Sequence, residues 1–138
     1  MKKSIFTLSL IFTALLSFNS TYAQEEKAVA IGGAEISFDK ETHDYGQIEQ
    51  HANGECVFVF TNNGTEPLKI TNAKGSCGCT VPEWPREPVA PGGTGVINVK
   101  YNSKGKKGKQ NKRVTLTTNM VPSQQVLIVK GQVNIKEE

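Results

Sequence analysis

From Ala34 onward the chain alternates apolar and polar positions with a period of two, in short runs broken by turn residues. Residues 35–39, 42–49 with a kink at Gly46, and 55–61 are the first such runs. Residues 68–73 follow, with Leu68 and Ile70 on one face and Lys69 and Thr71 on the other. Residues 94–102 place Ile97, Val99 and Tyr101 together, residues 112–119 place Val114 and Leu116 inward, and a last run covers 124–135. Two stretches lack the alternation. Cys56-Val57-Phe58-Val59-Phe60 and Val126-Leu127-Ile128-Val129 are apolar at every position, which predicts strands buried on both faces. Asn62-Asn63-Gly64-Thr65-Glu66-Pro67 supplies the residues of a tight connection. Residues 81–93 carry Pro82, Pro85, Pro88 and Pro91, which cannot donate to a ladder, so this piece runs along an edge or crosses between sheets, with Trp84 as its anchor. About seven strands at spacings of roughly 8 to 12 residues, with no helical pattern after the first residues, predict an all-β fold: one antiparallel, immunoglobulin-like sandwich of two sheets over 34–138.

The first residues follow a different rule. Met1-Lys2-Lys3, an apolar run over 5–18 and the small residues up to Ala23 form a secretory signal peptide, residues 1–23. The run is shorter than the ~20 residues that cross a bilayer, and no later stretch approaches that length, so the mature chain is expected to have no transmembrane segment. No cysteine follows the run to accept a lipid. Cleavage near Ala23/Gln24 leaves a periplasmic or secreted protein whose residues 24–33, with no apolar period, form a flexible lead. Loss of Lys2 and Lys3 leaves 14 basic against 13 acidic side chains, a near-neutral chain with no general attraction for nucleic acid.

Candidate chemistry is confined to a few places. Cys77-Gly78-Cys79 stands out, and Cys56 is the third cysteine. Outside the cytoplasm a disulfide is the ordinary fate of such thiols; Cys56 with Cys77, Cys56 with Cys79, and Cys77 with Cys79 are all open pairings, and each leaves one odd thiol. Thiolates also suit copper(I) or zinc, with Cys77, Cys79 and Cys56 as the candidate ligands; His43 and His51 lack ligand spacing. Thiol exchange would need a lowered thiol pKa, for which Lys74 is the one nearby cation and a C-x-x-C spacing is missing. Lys104, Lys106, Lys107, Lys109, Lys112 and Arg113 form a basic run at a strand connection. It reads either as an anion-binding patch or as a solvated hairpin tip, and no aromatic residues interleave it as a nucleic-acid platform requires. No nucleophile elbow, phosphate-binding glycine loop or separable carboxylate pair is present, so no catalytic residues are assigned and a non-enzymatic role is expected.

Asp44-Tyr45-Gly46, Phe58-Val59-Phe60-Thr61-Asn62, Gly64-Thr65-Glu66-Pro67-Leu68, Ser76-Cys77-Gly78-Cys79-Thr80 and Ala90-Pro91-Gly92 occur in that order between Phe38 and Val133. In this the chain resembles an exported bacterial family known as a domain of unknown function. That family is similar to the immunoglobulin-like domains of Hydin-type cilium and centrosome proteins, and to the major sperm protein and pilus-chaperone sandwiches. The resemblance implies a fold and an exported location, and no reaction. Its pattern centres on Cys77 and Cys79; Cys56 lies outside it. The expected function is an exported immunoglobulin-like module, without a cofactor, that binds a protein or cell-envelope component through exposed strand edges. The alternative is a thiol or copper(I)-handling protein that uses Cys77 and Cys79.

Overall fold

A computed structural model describes residues 32–135; the expected signal peptide, the lead up to residue 31, and residues 136–138 lie outside the described residues. Eight strands follow one another: β1 (Ile36–Phe38), β2 (Thr42–Glu49), β3 (Asn53–Asn62), β4 (Ile70–Gly75), β5 (Thr80–Glu83), β6 (Thr94–Asn102), β7 (Gly108–Thr118) and β8 (Gln124–Asn134). They form two four-stranded sheets, β1-β3-β6-β5 and β2-β8-β7-β4, stacked as an all-β sandwich. The extra strand relative to the expected seven is β5. Four residues containing Pro82 satisfy the requirement for an edge, and the connection from β4 to β5 also crosses between the sheets.

The antiparallel expectation needs one correction. β2 runs parallel to β8, from Thr42 beside Ile128 to Glu49 beside Asn134. The two are separated by the whole domain, because the chain changes sheets after β1 and returns to the same sheet only with β4, β7 and β8. A period of two is the same in either direction, so the sequence carries no sign of it.

The core is built from one face of each sheet. Phe58 and Phe60 of β3 and Ile97 and Val99 of β6 face Val114 and Leu116 of β7 and Leu127 and Val129 of β8, all essentially without solvent contact. Gly95 lies opposite Phe60 because the ring occupies the space of any side chain there: a Cβ at this position would sit 2.5 Å from Phe60 Cζ. Trp84 packs against this core, as its anchoring role requires. The stretches read as buried on both faces are not. Val57 is 44% exposed, Val59 36% and Val126 41%, because each sheet is covered on one side only. β-Branched residues favour strands on either face, and here that preference imitates burial.

Two buried polar residues close the ends of β3. The Asn62 side chain accepts from Glu35 N (3.3 Å) and Gly64 N (3.0 Å) and donates to Glu66 O (2.8 Å) and Val89 O (2.9 Å). At the other end Ser103 Oγ lies 2.9 Å from Glu49 O and 2.8 Å from Ala52 O and shares its one proton between them. Each replaces the water a buried backbone group would otherwise lose.

Replacement of Phe58 or Phe60 by alanine should cost about 3 to 5 kcal/mol, while Val57→Thr on the open face should change stability by less than about 0.5 kcal/mol. Equilibrium denaturant unfolding checks this. Equal losses at Val57 and Phe58 would show that β3 is covered on both sides.

Candidate functional site

The Cys-Gly-Cys stretch forms the corner by which the chain leaves β4, at the edge of one sheet, and enters β5, at the edge of the other. Backbone contacts fix it at both ends. Ser76 N donates to Arg113 O (2.8 Å), and Arg113 N donates back to Ser76 Oγ (3.1 Å). On the other side Thr80 N donates to Cys77 O (3.2 Å) and Asn102 N to Cys79 O (2.8 Å). The turn is this tight because Gly75 lies against Thr80: a Cβ on Gly75 would overlap the Thr80 carbonyl oxygen. Gly78 at the apex is exposed with open space around it.

This turn brings the sulfurs of Cys77 and Cys79 together, with Cα atoms 5.2 Å apart, inside the usual range for a cystine. Thr80 is buried beneath them, and its Oγ1 lies 3.8 Å from each sulfur. Both cysteines are half-buried, and Gly78 and Cys79 rim an open hollow shared with Asn53, Glu55, Lys100 and Asn102. The corner can therefore hold a short cystine or, when reduced, present two thiols with one hydroxyl beside both.

Cys56 is not brought to this corner. It is buried and unpaired in β3, opposite Val99, and its thiol is pushed up from the ordinary 9.0 mainly by burial, partly offset by Tyr45 and Lys40. The pairings of Cys56 with Cys77 or Cys79, and a three-cysteine metal set, are thus not formed in this structure. The reason is register: Cys56 points inward in the middle of the sandwich, whereas the corner sits on its rim. Among the described residues no three His, Cys, Asp or Glu side chains gather as a metal site would need. Tyr45 covers Cys56, its ring filling the space over Gly54 and stacking on Tyr101 at 6.0 Å between centroids. Burial and the nearby Cys56 raise the Tyr45 hydroxyl far above its ordinary value, and burial raises that of Tyr101. His43 stands edge-on to Tyr45 at 4.6 Å with Lys40 Nζ 3.1 Å from its Nδ1; partial burial and then Lys40 lower its pKa. His51 lies in the turn between β2 and β3 with φ 69°.

The basic run is not a hairpin tip. Lys104, Lys106 and Lys107 occupy the connection that crosses from β6 to β7 in the other sheet, while Lys109, Lys112 and Arg113 belong to β7 itself. Alternation then splits them: Lys109 and Arg113 are exposed on the outer face with Asn111 between, and Lys112 is half-buried on the opposite one. Lys130 of β8 joins the outer group, 3.5 Å from Asp44 of β2. Sequence reasoning missed Lys130, Asp44 and Thr80. Thr80 adjoins the cysteine pair and was legible there, whereas Lys130 and Asp44 come together only through the β2–β8 pairing.

Residues 36–133 match the family model described as "Protein of unknown function (DUF1573)". The chain belongs to that family. No curated protein matches the sequence. This DUF1573 chain is similar to a protein of unknown function from Porphyromonas gingivalis W83, at 15% identity over 75% of the chain and 48% of the other, with a TM-score of 0.65. It is also similar to the secreted serine protease VesC of Vibrio cholerae, at 12% identity over 71% of the chain and 23% of the protease, with a TM-score of 0.57. The chain thus spans about half the length of the first and about a quarter of the second. The ASH/PapD-like domain 7 of human CEP192 matches at 9% identity and TM-score 0.60 over 74% of this chain and 87% of that domain. At these identities the shared property is the fold, an immunoglobulin-like sandwich of the ASH/PapD-like kind. This agrees with the likeness to Hydin-type and pilus-chaperone domains expected from the motifs.

Within this DUF1573 domain the corner yields a direct test. Gly75→Ala forces the β4 and β5 edges apart and should cost about 1 to 3 kcal/mol, as overpacking does, while Gly78→Ala should leave the melting temperature unchanged within about 1 °C. Thermal unfolding of the two variants checks the assignment; equal effects would contradict it.

Proposed function

We propose that this chain is an exported, non-enzymatic immunoglobulin-like module that binds a protein or cell-envelope component by strand addition at the free edge of β2. The observation that carries the reading is β2 itself. It has eight residues, is mostly exposed and, among the described residues, is hydrogen-bonded on one side only, to β8. The other three edge strands are shorter: β1 has three residues, β5 four with Pro82, and β4 six, its end tied into the Cys-Gly-Cys corner. Short, proline-containing or covered edges resist pairing, and the long one is left for a partner. The signal-peptide pattern at residues 1–23 supports export. No helix among the described residues is long and apolar enough to cross a membrane.

A second reading, thiol or copper(I) handling, is favoured by one observation: the sulfur pair above the Thr80 hydroxyl. It needs the pair to cycle between cystine and dithiol or to take one metal ion, and Cys56 plays no part in it.

The test uses the full chain expressed in a bacterial host. The exported protein should begin at Gln24 by mass spectrometry. A photo-crosslinking residue at Thr42 or Glu49 should give a discrete adduct in intact cells that the same residue at Asn98 does not. Adducts of equal yield at all three positions, or at none, would overturn strand addition at β2. Binding of one equivalent of copper(I) by reduced protein, lost on Cys79→Ser, would put the second reading first.

A further inference from the structure

The outer face of the β2-β8-β7-β4 sheet is not flat. Opposite the bulge between Asp44 and Gln47 it sinks into an open groove of about 470 Å³, bounded by β2, β8 and the start of β7. Glycines make it. Gly46 turns the bulge with φ 66°, and its amide is held by Asp44 Oδ1 at 2.8 Å. Gly131 of β8 borders the groove through its backbone. It shares the inward parity of Val129 and Val133, and a Cβ there would come within 3.2 Å of Gly46 O and 3.3 Å of Tyr45 Cβ, so this glycine lets the bulged β2 lie close to β8.

What lines the groove is polar and positive. Lys109 pairs across the ladder with Gln132, and Asn111 with Lys130. Lys130 shares its charge with Asp44 at 3.5 Å, whereas Lys109 has no ion partner among the described residues. Gln47 Oε1 accepts from Asn134 Nδ2 at 3.1 Å, which orients that amide, and its NH2 group has no protein acceptor among the described residues. The side-chain amides of Asn111 and Gln132 have no protein partner among the described residues. Arg113 continues the row, two residues beyond Asn111 on the same face. Lys109 and Arg113 are thus about 13 Å apart along the strand, with an amide between them.

We propose that this groove binds an acidic polysaccharide. The inference rests on the reading of the chain as a binding module, and not on strand addition at β2. Cations spaced along a trench match anionic groups spaced along an extended polymer, and the intervening amides match its hydroxyls. No aromatic side chain lines the groove, so stacking on a neutral sugar is not available and the charge carries recognition. A phospholipid surface, being flat, would engage the exposed Lys104 and Lys107 of the β6–β7 connection as well as the groove cations, and the two double variants below separate the cases.

The experiment titrates full-length mature protein with polygalacturonate and with dextran of similar length by calorimetry at low and moderate salt. Binding of polygalacturonate alone, weakening as salt rises, is expected. Lys109→Gln with Lys130→Gln should weaken it about tenfold, roughly threefold for each exposed charge contact, and Asp44→Asn, which frees Lys130, should strengthen it. Lys104→Gln with Lys107→Gln should have less than half the effect of the groove pair in log units. Absence of binding at low salt, equal loss in the two double variants, or tighter binding to vesicles of anionic phospholipid or to inorganic phosphate would each overturn the proposal. The photo-crosslink at Thr42 or Glu49 should survive Lys109→Gln with Lys130→Gln, so loss of the groove's activity and failure of the edge reading are separate results.

Discussion

The whole molecule depends on one layer of side chains between two sheets. Phe58, Phe60, Ile97 and Val99 from one sheet interleave with Val114, Leu116, Leu127 and Val129 from the other, and among the described residues no second layer covers either outer side. A domain of this size buries only about two-thirds of the surface its unfolded chain exposes, so this layer carries most of the favourable free energy. Asn62 and Ser103 set its length. Each gathers loop backbone at one end of β3 and satisfies groups that would otherwise be buried without partners. Because the strand period sends every second residue outward, the same layer that makes the fold leaves two broad outer faces and the sheet edges free of structural duty.

Those free positions are where the chain shows specific chemistry. The Cys-Gly-Cys corner sits on the rim, held by the close approach of Gly75 to Thr80 and by hydrogen bonds to Arg113 and Asn102. Its sulfurs meet because the turn is short, and Cys56 stays apart because its register faces it into the core under Tyr45. The groove on the outer face has an equally local origin: a bulge in β2, which the glycine at 131 of β8 lets lie close. Neither feature adds to the core, and both are built from residues that a sandwich alone would not need.

Much of the fold is legible in the sequence, and particular residues show why. The alternation over Ile97, Val99 and Tyr101, and over Val114 and Leu116, names the buried face directly, and the prolines of 81–93 mark the edge and the crossing. The valines at 57, 59 and 126 mislead, because β-branched residues suit an exposed strand face as well as a buried one. The parallel pairing of β2 with β8 leaves no local trace. With it are hidden the Asp44–Lys130 pair and the groove, since these join residues 86 positions apart in the chain. The basic run over residues 104–113 is visible as composition, but its split between a crossing connection and two faces of β7 follows from where β7 begins, which charge alone does not mark. Of the candidate site, the cysteine pair is legible and its neighbour Cys56 is misleading, because spacing along the chain says nothing of which sheet face a residue takes.

The proposed binding role requires a rigid four-strand centre with a β2 edge that a partner can reach. Native-state hydrogen exchange of the mature protein tests it most directly. The account predicts that amides of β3, β6, β7 and β8 exchange together only through global unfolding, while β2 amides exchange much faster, through local opening from β8. Protection of β2 equal to that of β8, or early exchange of β3, would contradict it.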